Sequence, residues 1–434
     1  MNDNTHRDND KPQAADRPNK GRRKTLKTAL ALGVAAEVAQ LFPPAIIAAR
    51  GEEPVKFGID NPLTGTYAIT GRNELHGMEL AIDEINAKGG VLGRQAKLIV
   101  EDSTSGDAGV AVQKARKLID RDKVDFLVGN VNSGLTIAMS AVAYEKGVFM
   151  MDPGGHADDI TGKHCHWNVY QVDPSTTLLV NAIAPSLVKR YGKKFYFLVP
   201  DYAFGHGLLD AYNVNLKKLG AENVGTDLIP LGTTEYSSYL IKAQAAKPDV
   251  IVILQNGEDQ TNVLKQAVQF GLDKRFHIAG ANIELETLEA LPPTSRIGDW
   301  VIEWYWNQPN VPHVKEFTDA IMKKTKRVPT ARTWFGHTAI HACALAANTA
   351  KSLEPVKMAK ALNGLTLPPE VALQPYPATF RADQHLLIGT LWAGNAQAKG
   401  AAGPDDLFHI VDTIESKTIA PTIEETGCKM TWPS

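Results

Sequence analysis

The sequence predicts an α/β protein built as two doubly wound lobes, each a parallel sheet covered by helices. Three observations lead there. From Val55 onward, short apolar runs alternate with segments of helical apolar spacing, and strand-then-helix alternation gives parallel sheets with right-handed crossovers. The scheme runs once to about Asp152 and starts again near Thr176. The chain has 434 residues, 44% of them hydrophobic and 22% charged, which is enough for two separate cores.

Each element follows from local pattern. Residues 55–59 read as the first strand. Leu75, Met78, Ile82 and Ile85 recur at helical spacing, and Gly89-Gly90 stops that helix. Residues 96–100 form the second strand, and Asp107 caps a helix carrying Val110, Ala115, Leu118 and Ile119. The run 124–129 has few polar positions, as expected of a strand covered on both faces. A helix through Met139 and Val142 leads to a strand at 148–152. The second run has helices over 176–190 and 208–219, one through Tyr239 and Ala243, and one through Val263, Leu264 and Val268. Its strands lie at 195–199, 227–231, 250–254 and 277–279. Beyond that the order loosens. Residues 300–306 read as an aromatic strand with Trp300, Trp304 and Trp306 on one face. Helices at 314–324 and 333–351 follow, then strands at 378–381 and 386–392.

The N-terminal segment has its own character. Residues 1–20 are rich in Asn, Asp, Lys and Pro and read as disordered. Arg22-Arg23-Lys24-Thr25-Leu26-Lys27, the apolar stretch 29–36 and the small-residue end Ile47-Ala48-Ala49 read as an export signal over 21–49. It resembles the twin-arginine type, with Thr25 where Phe is common, and places the mature chain in the periplasm. Glu37, Pro43 and Pro44 interrupt the apolar run, so no span of ~20 residues is expected there. The net charge of −2 argues against a nucleic-acid partner. Cys343 lies in a helical apolar pattern and reads as a buried free thiol. Cys165 and Cys428 lie in polar segments and are expected to pair, pinning the tail at 426–434, although sequence alone does not fix the pairing.

Ligands of open parallel sheets sit at the carboxyl ends of the strands, so the loops there carry the functional reading. Asn61 to Gly71 follows the first strand. Asn130-Val131-Asn132-Ser133-Gly134 opens a helix, where a small hydroxyl and free backbone N–H groups suit a carboxylate. Asp152-Pro153-Gly154-Gly155-His156 has two glycines that allow close approach to the backbone. The same residues serve equally well as ordinary caps and turns.

Competing constellations are weaker. His164-Cys165-His166 are chain neighbours without a CxxC partner, a poor metal geometry. His337 and His341 share a helix face, but Thr338 stands where a zincin needs Glu, so core or helix-face histidines are expected. There is no Walker loop and no G-x-S-x-G elbow. No catalytic residue, metal or cofactor is therefore expected.

Several motifs stand in a telling order. They are Pro62-Leu63-Thr64-Gly65 with Gly71, Ile85-Asn86-Ala87-Lys88-Gly89-Gly90, the strand end Glu101-Asp102, Asp201 to Gly207, and Lys247-Pro248-Asp249-Val250-Ile251. Together, over about 55–392, they resemble the branched-chain-amino-acid-binding family of periplasmic proteins, the receptors of ABC importers. The resemblance implies a type I periplasmic binding fold, two lobes joined by a three-crossover hinge. Lobe 1 is expected at 54–172 with 305–384, and lobe 2 at 173–304 with 385–425. It implies a monomeric substrate-binding component serving an inner-membrane ABC permease, not an enzyme. It also implies site residues: Ser133, Gly154, Gly155 and His156 on the ligand's acidic end, with Asn132 beside them. Tyr67 and Thr70 would cover the ligand, and Tyr202, Asn256, Asn282 and Glu284 would close from the second lobe.

Two departures bear on the ligand. His156 stands where the family's amino-acid binders usually carry Thr or Ser. Glu258, Glu284 and Glu303 are candidates to pair an ammonium, and none falls cleanly on a motif position. His156, Asn132 and Asn256 suit an organic acid, an aromatic carboxylate or an amide as well as an amino acid. An exported enzyme acting on a small molecule, or a ligand-sensing receptor on the same fold, are the alternative classes.

Overall fold

The computed structural model describes residues 53–433. The expected disorder at 1–20 and the export signal at 21–49, with its cleavage site, lie outside the described residues.

The first sheet has the order β2-β1-β3-β4-β5 and is parallel throughout. Its strands are β1 (Val55–Asn61), β2 (Ala96–Asp102), β3 (Phe126–Val128), β4 (Phe149–Asp152) and β5 (Val169–Gln171). Helices α1 (Ala68–Ala87), α2 (Ala108–Arg116), α3 (Ser133–Lys146) and the short α4 (Asp158–Thr161) connect them. Every residue of β3, β4 and β5 is buried, which is why these strands lack the alternation of a half-exposed sheet. Asp107 caps α2, its Oδ1 accepting from the Gly109 and Val110 N–H groups at 2.8 and 3.2 Å.

The chain then crosses to a second sheet. Helix α5 (Thr176–Tyr191) packs on α6 (Ala203–Leu219). Around them lie β6 (Lys194–Pro200), β7 (Glu222–Ile229), α7 (Ser237–Ala245), β8 (Val250–Ile253), α8 (Gly257–Gln269), β9 (His277–Asn282), α9 (Leu285–Ala290) and β10 (Asp299–Ile302). A second crossing returns the chain to the first sheet, where α10 (Val314–Thr325) and α11 (Ala331–Ala350) pack against α1. Helices α12 (Pro355–Leu362) and α13 (Pro369–Ala372) and the hairpin β11 (Thr379–Phe380) and β12 (Leu387–Ile388) follow. The third crossing leads to β13 (Thr390–Ala396) and β14 (Phe408–Glu415). They join as antiparallel edge strands, giving the order β14-β13-β10-β9-β8-β6-β7. The architecture is two doubly wound lobes joined by three crossovers, as the sequence predicts.

The differences lie late in the chain. The expected aromatic strand stops at Ile302, because β13 pairs only with 299–302. Trp304 and Trp306 lie in the following loop, so the three indoles do not share a strand face. Their N–H groups donate to the carbonyls of Leu373 at 2.9 Å and Asp405 at 3.2 Å, anchoring the loop instead. The strand expected at 386–392 is two strands broken at Gly389. Cys165 and Cys428 form a disulfide with Cα atoms 5.6 Å apart, and Cys343 is a buried free thiol. Among the described residues no helix is long and apolar enough to cross a membrane.

Candidate functional site

The carboxyl ends of the strands in both sheets face each other. Between them a chamber of about 10 Å³ is lined by Tyr67, Val131 and His156 from the first half and by Tyr202, Phe204 and Asn256 from the second, with Arg332 at its wall. That volume is room for about one water molecule. Contacts join the two halves around it. The Tyr67 and Tyr202 hydroxyls lie 2.5 Å apart, the Thr70 hydroxyl donates to Glu284 at 3.4 Å, and the Asn73 amide donates to Glu286 at 2.8 Å.

A buried charge network backs the chamber. Arg332 is the second residue of α11, in the turn after the N-cap, Thr330, where the Thr330 and Thr333 hydroxyls satisfy each other's backbone N–H groups. The first turn of the helix points the guanidinium inward, where it is 1% exposed. Nη1 donates to Glu74 of α1 and to the Gly154 carbonyl, both at 3.0 Å. Nε donates to Glu284 at 2.7 Å, and Nη2 lies 2.6 Å from the same carboxylate. His156 stands next to it. Its Nδ1 is 2.6 Å from Asp173, and its Nε2 is 3.4 Å from Glu303.

The electrostatics follow from burial against charge. Burial alone would lower His156, but the Glu303 and Asp173 carboxylates outweigh it and raise the imidazole to about 9. In that protonated form Nε2–H belongs to Glu303, and the 3.1 Å approach of Arg332 Nη2 is a like-charge contact offset by the surrounding carboxylates. Burial also acts to lower Arg332, and Glu284, Glu74, Glu303 and Asp173 hold it well above its usual range. Burial raises Glu74 and Glu303 to about 7 each, against the pull of Arg332 on the first and His156 on the second. Asp152 is raised by burial and by Asp173.

The sequence-predicted residues divide into groups. Tyr67, His156, Tyr202 and Asn256 meet at the chamber. Neither amide atom of Asn256 has a partner, nor does either of the adjacent Gln255. Thr70 and Glu284 meet each other, and Glu284 is tied to Arg332. The Asn282 amide donates to Glu303 at 3.3 Å. Asn132 is spent on the fold: its Oδ1 caps α3 through the Gly134 and Leu135 N–H groups at 2.9 and 3.4 Å, and its Nδ2 donates to the Ser105 carbonyl. Ser133 is the first residue of α3, and its hydroxyl accepts from the Ala157 N–H at 3.1 Å. The Gly154 and Gly155 N–H groups donate to Asp152 Oδ1 at 3.1 and 2.9 Å. Arg332, Glu74, Asp173, Val131 and Phe204 escape the sequence reading. The one local signal for Arg332 is a cation at the head of an otherwise apolar, small-residue helix.

The arrangement suits the grip of a small molecule with both charged and apolar parts. A cation, Arg332, an imidazole, His156, an unpartnered amide, Asn256, and three aromatic rings, Tyr67, Tyr202 and Phe204, line the chamber. Away from the chamber, Glu84, His337 and His341 bring ligand atoms within 4.8 Å of one another.

Comparison with known proteins gives the family and the fold. The family described as periplasmic binding protein matches residues 54–401. The chain is 28% identical over 322 residues to the Leu/Ile/Val-binding protein homolog 7 of Brucella suis, covering 70% of this chain and 77% of that one. It is 25% identical over 361 residues to the Leu/Ile/Val-binding protein homolog 8 of Brucella melitensis, covering 78% and 88%. A periplasmic binding protein from Burkholderia mallei superposes with TM-score 0.81 at 26% identity, covering 87% of this chain and 99% of that one. An amino acid ABC transporter substrate-binding protein from Pseudomonas fluorescens superposes with TM-score 0.77, also at 26% identity and with coverage of 87% and 99%.

Proposed function

The chain belongs to the periplasmic binding protein family, and from that premise we propose that it captures a small amino acid, organic acid or amide between its lobes for an inner-membrane ABC permease. The favoured solute is a zwitterion of the amino-acid class. The observation that carries this reading is the shared chamber: strand-end residues of both sheets line it, and the Asn256 amide in its wall has no partner in the protein. A carboxylate on the solute has the Ser133 hydroxyl to meet, and Arg332 once the parting lobes take Glu284 from it. An ammonium has Glu284, Glu303 and Asp173. Tyr67, Tyr202 and Phe204 take the apolar body.

The chamber is too small for such a solute as it stands, so the lobes part to admit it. Segments 54–172 with 305–384 and 173–304 with 385–425 are the two moving bodies. The solute docks on one lobe, and contacts from the other stabilise the closed form by differential affinity. Residues 21–49 direct export by the twin-arginine route, and the mature chain works as a monomer. An aromatic carboxylate is the second reading, favoured by the protonated His156 ring, whose centroid lies 5.8 Å from that of Phe204.

A thermal-shift and calorimetry screen tests the proposal. It covers branched-chain and aromatic amino acids, aromatic acids, short carboxylates, amides and urea. The expected result is a raised melting temperature with one-to-one binding and recovery of the solute unchanged. Failure of every compound to bind, or consumption of the hit, overturns it, and consumption points to an exported enzyme. Ser133→Ala is expected to weaken binding about 10-fold or more, since one charge-assisted hydrogen bond contributes ~1.5–3 kcal/mol. Unchanged affinity would remove Ser133 from the site.

A further inference from the structure

Helices α1 and α11 lie side by side in backbone contact. A Cβ on Gly77 would meet the Thr333 carbonyl oxygen at 1.9 Å, and one on Gly336 would meet the Glu74 carbonyl oxygen at 2.0 Å. Two turns along from Gly77, that approach sets Glu84 of α1 against His337 and His341 of α11. The His337 and His341 Nε2 atoms lie 2.9 and 2.8 Å from the same Glu84 oxygen. The histidines are four apart, so they share one helix face, with ring centroids 4.4 Å apart. The cluster opens on a cavity of about 440 Å³ that Lys88, His313, Glu316 and Glu370 also line. This site is distinct from the inter-lobe chamber.

Hydrogen bonding alone accounts poorly for the cluster. Two ring N–H groups converge on one oxygen, and the Nδ1 atom of the buried His337 has no partner. Without an ion the Glu84 carboxylate holds the His337 proton on Nε2; with an ion in its place, the unpartnered Nδ1 is the nitrogen left to carry it. In the Nδ1–H tautomer the Nε2 lone pair points at the centre of the cluster.

We propose that Glu84, His337 and His341 hold a divalent transition-metal ion of the zinc class, with a further coordination position open to the cavity. Two imidazoles and one carboxylate are a ligand set that Zn²⁺ and its neighbours accept. A tetrahedral ion with bonds of ~2.1 Å needs ligand atoms about 3.4 Å apart. The two Glu84 distances, 2.9 and 2.8 Å, widen by about half an ångström to reach that, the ligand atoms all lie within 4.8 Å of one another, and Glu84 is part-exposed and able to move. Thr338 follows His337, so the site lacks the neighbouring Glu of a hydrolytic zinc helix. Its role is a clamp that ties α1 to α11. The unpartnered Nδ1 of His337 means that no second group supports that ligand, which weakens affinity about 10–100-fold against a supported site.

The test uses chelator-treated, untagged full chain titrated with Zn²⁺ and Co²⁺. One saturable site is expected, with a rise in melting temperature of at least about 2 °C at hundredfold excess over Kd. The cobalt form should show the visible absorption of tetrahedral coordination. The chain has twelve histidines, so variants must place the ion. His341→Ala and Glu84→Gln should each weaken binding at least about 10-fold while keeping the metal-free circular dichroism spectrum. Anomalous scattering from cobalt-loaded wild-type crystals locates the ion without any variant. A peak between α1 and α11 supports the site. The proposal is overturned by no saturable binding below millimolar metal, by binding unchanged in both variants, or by a peak elsewhere.

Discussion

The Arg332 guanidinium lies between Glu74 of its own half and Glu284 of the other, with its side chain 1% exposed. Taking away one partner of a buried ion pair costs about 3–5 kcal/mol, because it leaves charge uncompensated. Arg332→Met is expected to lose about that much at pH 8. The loss should be smaller at pH 5, where Glu74, held at about 7 by burial, is neutral and needs no cation. Chemical denaturation at the two pH values checks this, and an equal loss at both would show that Arg332 acts through packing alone. His156 offers a second test. Glu303 is the leading opponent of the burial that would lower its ring, so Glu303→Gln should bring the imidazole down from about 9 in an NMR titration. No movement would place the charge on Asp173 instead. These roles were hard to read in sequence for a physical reason. Arg332 meets Glu74 across 258 residues of chain and Glu284 across 48, and no local pattern encodes such a meeting. Asn132 shows the reverse problem. Its place before a helix is legible, but an Asx cap and a ligand contact look alike until the partner of the side chain is seen.

At the scale of elements, legibility follows covering. β3, β4 and β8 are buried on both faces, so their unbroken apolar runs stand out. β14 is an edge strand with His409, Val411, Asp412 and Thr413 exposed, and its sequence resembles a loop. The aromatic stretch after Asp299 misleads because alternation of indoles is also compatible with a loop whose N–H groups reach carbonyls of neighbouring segments. The α1–α11 pair shows what periodicity does not reveal. Gly77 and Gly336 read as weak points of two helices, yet each admits the backbone of the other helix. Gly77→Ala should gain helix propensity of at most ~1 kcal/mol. Its methyl group, however, meets a carbonyl oxygen that cannot rotate away. Overpacking of that kind costs ~1–3 kcal/mol, so the net effect expected in denaturant melts is destabilising. A neutral or stabilised variant would mean that the helices slide apart freely.

For the whole molecule, closure is linked to protons. In the lobe motion proposed above, the contacts of Glu286 with Asn73 and of Glu303 with His156 break and these groups become exposed. Shut, Glu303 is raised to about 7 by burial; Glu286 is raised by burial and then by Glu284. Apart, with burial relieved, each falls back toward its ordinary value. Between 4.5 and about 7 the shut form therefore binds more protons, and it loses ground as pH rises through that window. His156 has the same sign at higher pH. Held at about 9 when shut and at 6.5 when free, it binds its proton more tightly in the shut form, whose advantage is fully present below 6.5 and fades as pH rises through about 9. The carboxylate and imidazole effects run in one direction, so the open population should grow from about pH 5 to pH 9. Small-angle X-ray scattering of the solute-free protein reads this as a rising radius of gyration. Glu286→Gln should flatten the lower part of the rise, since the amide does not titrate, and Glu303→Gln should flatten both parts, since it also removes the carboxylate that holds His156 high. A radius that stays constant, or one that falls with pH, would mean that the buried carboxylates keep their surroundings when the lobes move, and that the cleft opens along a surface other than the one these residues share.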